Sequence, residues 1–446
     1  MARNKKFRLL TLVLILIALP FLIIAIRNQT QTRSDASAAD KLEAEGGTLG
    51  GNAVIQSDST SSGGNFIVLK NNQTPTTTPT PTINQTGTIY NIPSSIDGSG
   101  NTNVSTAIQA FVNSVPNGTS SNPSIIKFPA GKTYQLQPGI NYGGMSYIIF
   151  DGSGTPTQYG NTGGATLKAP GNGIKVENSP FYAQYPANDI IFKNFNLIGS
   201  NPHGATNLCW NGEAAQNSGG TLGEYQMGIS MRGARDIEIA NINFDKFQGD
   251  HVYLGAFRAS PTVWNENIWI HNVYGNNNGR MAFGIIAANN LKIEDSKFDN
   301  TCMYVFDQEP NYSDEGTTNA IYRRNIIGNY AYSTAFGESA VLDTYSPATS
   351  AIFGSVTFEN NTITGKPVGR PIGQSPIYMK LLEPNQTGTW IIRNNTCTSK
   401  GIGPAIRINN SSASFTITNN TGCLSTGSFI STESNFTGTL IQNGNN

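Results

Sequence analysis

DIEIANINFDKF (236–247), NIWIHNVYGNN (267–277) and NLKIEDSKFDN (290–300) follow one another along the chain and read alike. Apolar residues fall at every second position: Ile237, Ile239, Ile242 and Phe244 in the first, Leu291, Ile293 and Phe298 in the third. This is the period of a strand with one buried face. The texture returns in DIIFKNFNLIG (189–199), SVTFENNTITG (355–365), TWIIRNNTCTS (389–399) and SFTITNNTGCL (414–424), with a divergent copy, AIYRRNIIGNY, at 320–330. Most copies recur about every 23 to 35 residues. No single unit can bury its own apolar face, so the units must stack into a solenoid. A period near 23 is too short for a propeller blade, which needs ~40–45 residues. It suits one coil of a parallel β-helix. The N-N-T and N-x-N positions follow the first strand of each unit, where the chain must turn. Asparagine tolerates φ > 0 there, and its side chain can bond the asparagine of the next coil.

Composition agrees. The 446 residues carry 28 Lys+Arg and 28 Asp+Glu, and only 13% are charged, about half the ~25% of ordinary globular chains. Forty-eight glycines, with abundant Asn, Thr and Ser, supply turns instead. A nucleic-acid partner is excluded as an expectation, because no basic excess exists. Helical bundles and wholesale disorder do not fit this composition either. Nor does the chain contain G-x-x-x-x-G-K-[ST], H-E-x-x-H or G-x-S-x-G, so nucleotide, zinc-protease and α/β-hydrolase chemistry have no support.

The amino terminus reads differently. Arg3, Lys5, Lys6 and Arg8 precede an unbroken apolar run, Leu9 to Ile26. At ~1.5 Å per residue such a run nearly crosses a ~30 Å hydrocarbon core. Residues 1–27 are read as an uncleaved signal anchor, with the basic cluster cytoplasmic and the rest outside the cell. Residues 28–87 form an extracellular linker with a Pro/Thr spacer at 74–82. Residues 88–446 are the solenoid. The first 33 residues hold six Lys/Arg and no acid, so the other 22 basic residues face 28 acidic ones, a net of −6. Simple attraction of a polyanion is therefore not expected. Export also favours disulfides. Of Cys209, Cys302, Cys397 and Cys423, the last two follow matching contexts, RNNTC and TNNTGC, and can meet as neighbours in stacked coils.

The solenoid's start has its own signature. DGSGNTNVSTAIQAFVNS (97–114) contains one amphipathic helix, with Val104, Ile108, Phe111 and Val112 on a face, suited to capping an open core. IIKFPAGKTYQL (125–136) and YIIFDGSG (147–154) follow. These segments, with GDHVYL (249–254), 277–300 and FDQEPN (306–311), resemble the pectate-lyase superfamily over about residues 90–440. The resemblance implies an all-β, right-handed, single-stranded parallel β-helix (pectin lyase fold) with a short N-terminal cap helix. It also implies a polysaccharide partner, wall-derived or uronate-containing. A shorter piece, residues 42–69, resembles the opening strands of β-sandwich carbohydrate-binding modules.

Candidate chemistry follows from aligning the second strand of each unit. With Val252, Leu254, Ile285, Phe306, Leu342, Met379 and Ile406 inward, the outward residues are His251 and Tyr253, Asp307 and Glu309, Asp343, Lys380 and Arg407. Asp250 stands at a strand entry. Adjacent coils lie ~4.8 Å apart, so Asp307 and Asp343 are candidate neighbours, with Lys380 next. Two mechanisms fit. Asp307, Glu309 and Asp343, or Asp250 with His251, act as acid and base in glycoside hydrolysis. Alternatively the carboxylates hold Ca²⁺, the one candidate cofactor, against a uronate while Lys380 or Arg407 binds charge or removes a proton. That second course is elimination or epimerisation, and the resemblance leans toward a lyase. Arg280, after a glycine-bearing turn, Tyr253, and Trp210 and Trp264 in the long insertions 200–227 and 255–266 are the remaining candidate substrate contacts. The superfamily's pectin hydrolases carry adjacent aspartates, G-H-G and R-x-K, and its alginate epimerases D-P-H-D; none occurs within the solenoid, residues 88–446. The competing class is a non-catalytic glycan-binding surface protein or adhesin.

Overall fold

The computed structural model describes residues 53–57, 65–69, 83–171, 175–201, 224–332, 340–347, 351–368, 379–381, 387–402, 404–408, 412–432 and 436–446. The chain divides into two compact units, Met1–Thr76 and Thr77–Asn446. In the first, Ala53–Ser57 pairs antiparallel with Asn65–Leu69. The anchor assigned to residues 1–27 lies outside the described residues. Among the described ones no helix is long and apolar enough to cross a membrane.

The second unit is a stack of coils. Three long parallel sheets run along it, one of fourteen strands and two of ten. One coil shows the pattern. Arg235–Ala240 lies in the large sheet, Asn243–Asp245 in one ten-stranded sheet and Val252–Gly255 in the other. The chain then re-enters the large sheet at Asn265–His271. Each strand pairs with its counterparts one coil before and after, so side chains of one kind form rows. A core row runs Phe150, Phe192, Ile239, Ile270, Ile293, Tyr322, Phe358, Ile392 and Ile417 in direct register. All are buried. The rings of Phe150 and Phe192 stack at 5.3 Å.

The corner after the large sheet explains the asparagines. Asn194, Asn241, Asn272, Asp295, Arg324, Asn360, Asn394 and Asn419 all sit there in the left-handed region, with φ between 50° and 65°. Asn pays less than other side chains for that conformation. The residue after the corner points inward. In early coils it is apolar (Phe195, Ile242, Val273); from Asn325 onward it is Asn325, Asn361, Asn395, Asn420 and Asn445. These form a ladder, buried from Asn325 to Asn420 and half-buried at Asn445. Each Nδ2 donates to the next Oδ1, at 3.1, 3.0, 2.8 and 2.8 Å. Each Oδ1 also accepts the preceding residue's backbone N–H, as Asn395 Oδ1 does from Asn361 at 2.9 Å. Each Nδ2 further reaches a main-chain carbonyl of the coil before, Phe358 for Asn395. Every polar atom of the row is thus satisfied inside the core, as burial demands.

The helix Ser105–Ser114 stands at the N-terminal end, with Ile108 and Val112 fully buried in the core of the first coils and Phe111 packed against it. Near the other end Cys397 and Cys423 form a disulfide with Cα atoms 4.9 Å apart. Cys302 is disulfide-bonded as well.

The ladder gives a direct test. Asn395→Ala strips the acceptor from two Asn361 donors. Each stranded buried group costs about 1–3 kcal/mol, so a loss of at least about 2 kcal/mol in denaturant unfolding is expected. Asn419→Ala, at the exposed corner, is expected to cost less; equal losses would contradict the ladder's role.

Candidate functional site

The ten-stranded sheet that holds Val252–Gly255 carries the candidate residues. Its register places Ser230, Tyr253, Gly284, Asp307, Asp343, Lys380, Arg407 and Ser431 in one row. Their strand neighbours Phe283, Phe306, Leu342, Met379 and Ile406 fill the core with no exposure. So Asp307 and Asp343 are side-by-side outward residues on paired strands. They are nevertheless sealed, each 1% exposed. Among the described residues Asp307 Oδ1 has no hydrogen-bond partner. Burial, then the neighbouring Glu309 and Asp343 carboxylates, push Asp307 well above the usual carboxylate range. Arg407 is half-buried farther along the row. The side chain of Lys380, and Trp210 entirely, lie outside the described residues.

Gly284 interrupts the row for a reason. A Cβ there would stand 2.4 Å from Asp250 Oδ2 and 3.1 Å from the Tyr253 ring. The gap lets the Asp250 carboxyl lean into the row from the strand entry. Asp250 is fully buried. Its Oδ1 accepts the Met281 backbone N–H at 3.2 Å, and its Oδ2 lies 3.5 Å from Arg280 Nη1. Burial outweighs these two partners and pushes its pKa up to about 7.

Arg280 binds the cluster together. It lies 3.0 Å from Glu309 through Nη2 and 3.5 Å from Glu224 through Nε, besides Asp250. Its side chain is only 13% exposed. Burial works against its charge, but Asp250, Glu309 and Glu224 more than offset this and hold it protonated. Glu309 and Glu224 keep 26% and 22% of their side-chain surface. With Tyr253, Tyr225 and Arg232 they line an open cleft of about 290 Å³. Tyr225 and Arg232 also line an adjoining hollow of about 620 Å³ toward Lys175 and Glu177, which meets a third, of about 550 Å³, at Pro138 beside the cap helix.

Two expectations need correction. His251 does not face outward. Its ring is fully buried against Phe244 and Phe247, at 5.6 and 6.1 Å, and among the described residues it makes no hydrogen bond through either nitrogen. Burial pushes its pKa down to about 3, so it is neutral and cannot pair with Asp250. The alternation was extended one residue too far: the strand begins at Val252, and His251 and Val252 N–H groups both point at Ala282 O, which marks a corner. Trp264 does not line the cleft either. The insertion folds back through a Phe257–Val263 bridge and places Trp264 in a separate hollow.

Sequence reasoning missed Arg232 and gave Glu224 and Tyr225 no role beyond membership of an insertion. The usable signal was position: Arg232 is one register step from Gly255 on the row's sheet. Among the described residues no group of three His, Cys, Asp or Glu is arranged to hold a metal ion. The Arg280 guanidinium occupies the centre of the carboxylates, the place a Ca²⁺ would need, so these residues do not fit that ion.

No family model and no curated protein matches the chain. Solved structures do. The Streptococcus pneumoniae surface protein and adhesin PfbA is 14% identical with a TM-score of 0.43, over 80% of this chain and 100% of that one. A family 28 exopolygalacturonase of Yersinia enterocolitica is 12% identical with a TM-score of 0.38, over 78% and 79%. A hyperthermoactive exopolygalacturonase of Thermotoga maritima is 12% identical with a TM-score of 0.38, over 81% and 93%. Superpositions this loose leave function to the site itself.

The buried carboxyl at Asp250 predicts a pH signature. A carboxyl whose folded pKa is raised favours the native state below its unfolded value, near 4, and that advantage is lost as pH rises through about 7. Asp250→Asn cannot ionise. Its thermal midpoint is therefore expected to gain on wild type steadily between about pH 4 and pH 8. A constant difference across that range would show that Asp250 is ionised throughout.

Proposed function

We propose that this is an exported, glycan-active β-helix enzyme that hydrolyses a glycosidic bond in the Arg280 cleft. The supporting observation is the pair Glu309 and Glu224. Both are partly exposed, both touch one buried guanidinium, and both face an open groove. Two oxygens within 3.5 Å of the nitrogens of one guanidinium are separated by at most roughly 9 Å. That overlaps the ~5–9.5 Å range of glycosidase carboxyl pairs. One member protonates the leaving oxygen while the other takes a proton from the attacking water, or attacks directly if the pair is close.

Asp250 and Asp307 act beneath them. Protonated, they leave the single Arg280 charge to the exposed pair. When Asp250 ionises, near pH 7, it competes for Arg280 and loosens that arrangement. Elimination is less well supported, because an arginine already held by Glu309 and Glu224 is a poor anchor for a uronate. A groove rather than a closed pocket suits a polymer. The Cys397–Cys423 disulfide supports an oxidising, extracellular setting, and the amino-terminal apolar run supports membrane tethering with the solenoid outside. A non-catalytic glycan-binding role has one observation in its favour: Asp307 and Asp343, the paired carboxylates of the row, are sealed from solvent.

The test is incubation of the purified chain with neutral and uronate-containing polysaccharides, reading new reducing ends and the ultraviolet absorbance of unsaturated sugars separately. Reducing ends without absorbance are expected. Glu309→Gln and Glu224→Gln are expected to lower kcat by about 10²–10⁴-fold. Asp250→Asn is expected to keep activity in acid and lose the alkaline decline. Absorbing products would establish elimination instead. Binding without any product would establish the surface-binder reading.

A further inference from the structure

The insertion that removes Trp264 from the cleft builds something of its own. Phe257 and Val263 exchange backbone hydrogen bonds, both at 3.0 Å, closing a short hairpin over Gly233. Gly233 has φ of 62°, and a Cβ there would stand 2.8 Å from Phe257 Cβ, so the close approach needs glycine. Five contacts clasp the hairpin to the loop 312–315. Arg258 Nη1 lies 3.0 Å from Asp314 Oδ1 and 3.2 Å from Glu315 Oε1, and its guanidinium covers the Tyr312 ring at 4.0 Å. Trp264 Nε1 donates to Asp314 O at 2.8 Å, and Thr262 donates to Asp314. The indole's only donor is used, and its ring is fixed as the wall of a hollow of about 420 Å³. This hollow and the Arg280 cleft share no lining residue.

The same hollow is lined by an exposed ion pair, Arg235 Nη2 and Glu266 Oε2 at 2.6 Å, with 58% and 36% of their side-chain surface free. Asn188 adds an exposed amide, and Pro186 and Val263 add apolar surface. An aromatic side chain lining one hollow with a donor side chain and an acceptor side chain suits a pyranose ring. Its C–H face lies on the indole, and two adjacent hydroxyls bond in parallel, one accepting from Arg235 and one donating to Glu266. The charge balance selects among sugars. Glu266 already pairs with Arg235, and Asp189, close to both Arg235 and Asp236, adds negative charge nearby, so a neutral ring is favoured over a carboxylated or sulfated one.

We infer that the Trp264–Arg235–Glu266 hollow is a second carbohydrate site, outside the cleft, that holds a neutral pyranose of a polymer. It shares with the proposed function only the premise that the partner is a glycan. A rigid site away from the chemistry raises residence on a polymer by multivalency.

The experiment is affinity electrophoresis of the full chain through gels containing soluble neutral β-glucan, galactomannan, arabinoxylan or, as the charged control, polygalacturonate. Wild type is expected to be retarded by at least one neutral polymer. Glu266→Ala removes an exposed acceptor whose ion pair adds little stability. It should weaken retardation at least tenfold with an unchanged thermal midpoint. Trp264→Ala should abolish it, while Trp264→Phe, which keeps a ring, should retain most of it. Arg280→Ala, in the cleft, should leave it intact. Retardation lost only in Arg280→Ala would assign all binding to the cleft and overturn the inference while leaving the proposed function standing. Absence of retardation in every neutral polymer, or retardation by polygalacturonate alone, would also overturn it. Neutral-glycan retardation with no product from any polymer would support the site and refute the enzyme.

Discussion

The structure depends on register between stacked coils. A parallel coil satisfies none of its strand hydrogen bonds alone, so every backbone donor and acceptor must meet its counterpart one coil away. Register is fixed where a slip would be costly. Moving one residue would turn the row from Phe150 to Ile417 out of the core and pull the asparagine ladder apart. The left-handed corner before each ladder residue has the same effect, because only some positions tolerate φ > 0. Once register is fixed, any residue type repeated at one strand position becomes a row.

That is how charges far apart in sequence are forced together. Asp307 and Asp343 are strand partners, and Asp250 reaches the same place because Gly284 leaves room. A protein tuned only for stability would not crowd carboxyls into a sealed layer, since each desolvated acid costs free energy that pairing repays only in part. Here one arginine is shared among Asp250, Glu309 and Glu224, and burial relieves the rest by protonation. Perturbed groups of this kind gather at functional sites more often than elsewhere. The mixture of sealed, proton-holding acids and partly exposed, arginine-held ones is what separates this cleft from the solvated charges of an ordinary solenoid face.

The sequence carried the architecture well, because period-two strands and asparagine corners are local signals. The Cys397–Cys423 pairing was legible too, since both cysteines follow the same corner in consecutive coils. The row Asp307, Asp343, Lys380, Arg407 could be aligned from the strands alone, although the sealing of Asp307 and Asp343 could not, since alternation gives the direction of a side chain and not what covers it. His251 failed because alternation holds only within a strand, and a corner puts two consecutive residues inward. Trp264 failed for a related reason. Its direction is set by a hairpin and by a clasp to Asp314, fifty residues on. Arg280 was legible as a candidate substrate contact after its turn, but nothing local reveals that three acidic side chains from three other segments converge on it.

The central claim is that Asp250 holds a proton beside Arg280 near neutral pH. Difference infrared spectroscopy of wild type against Asp250→Asn isolates that one carboxyl. The account requires a protonated carboxyl C=O band in wild type at about pH 5 that disappears with a midpoint near 7. A carboxylate band already complete at about pH 5 would contradict it.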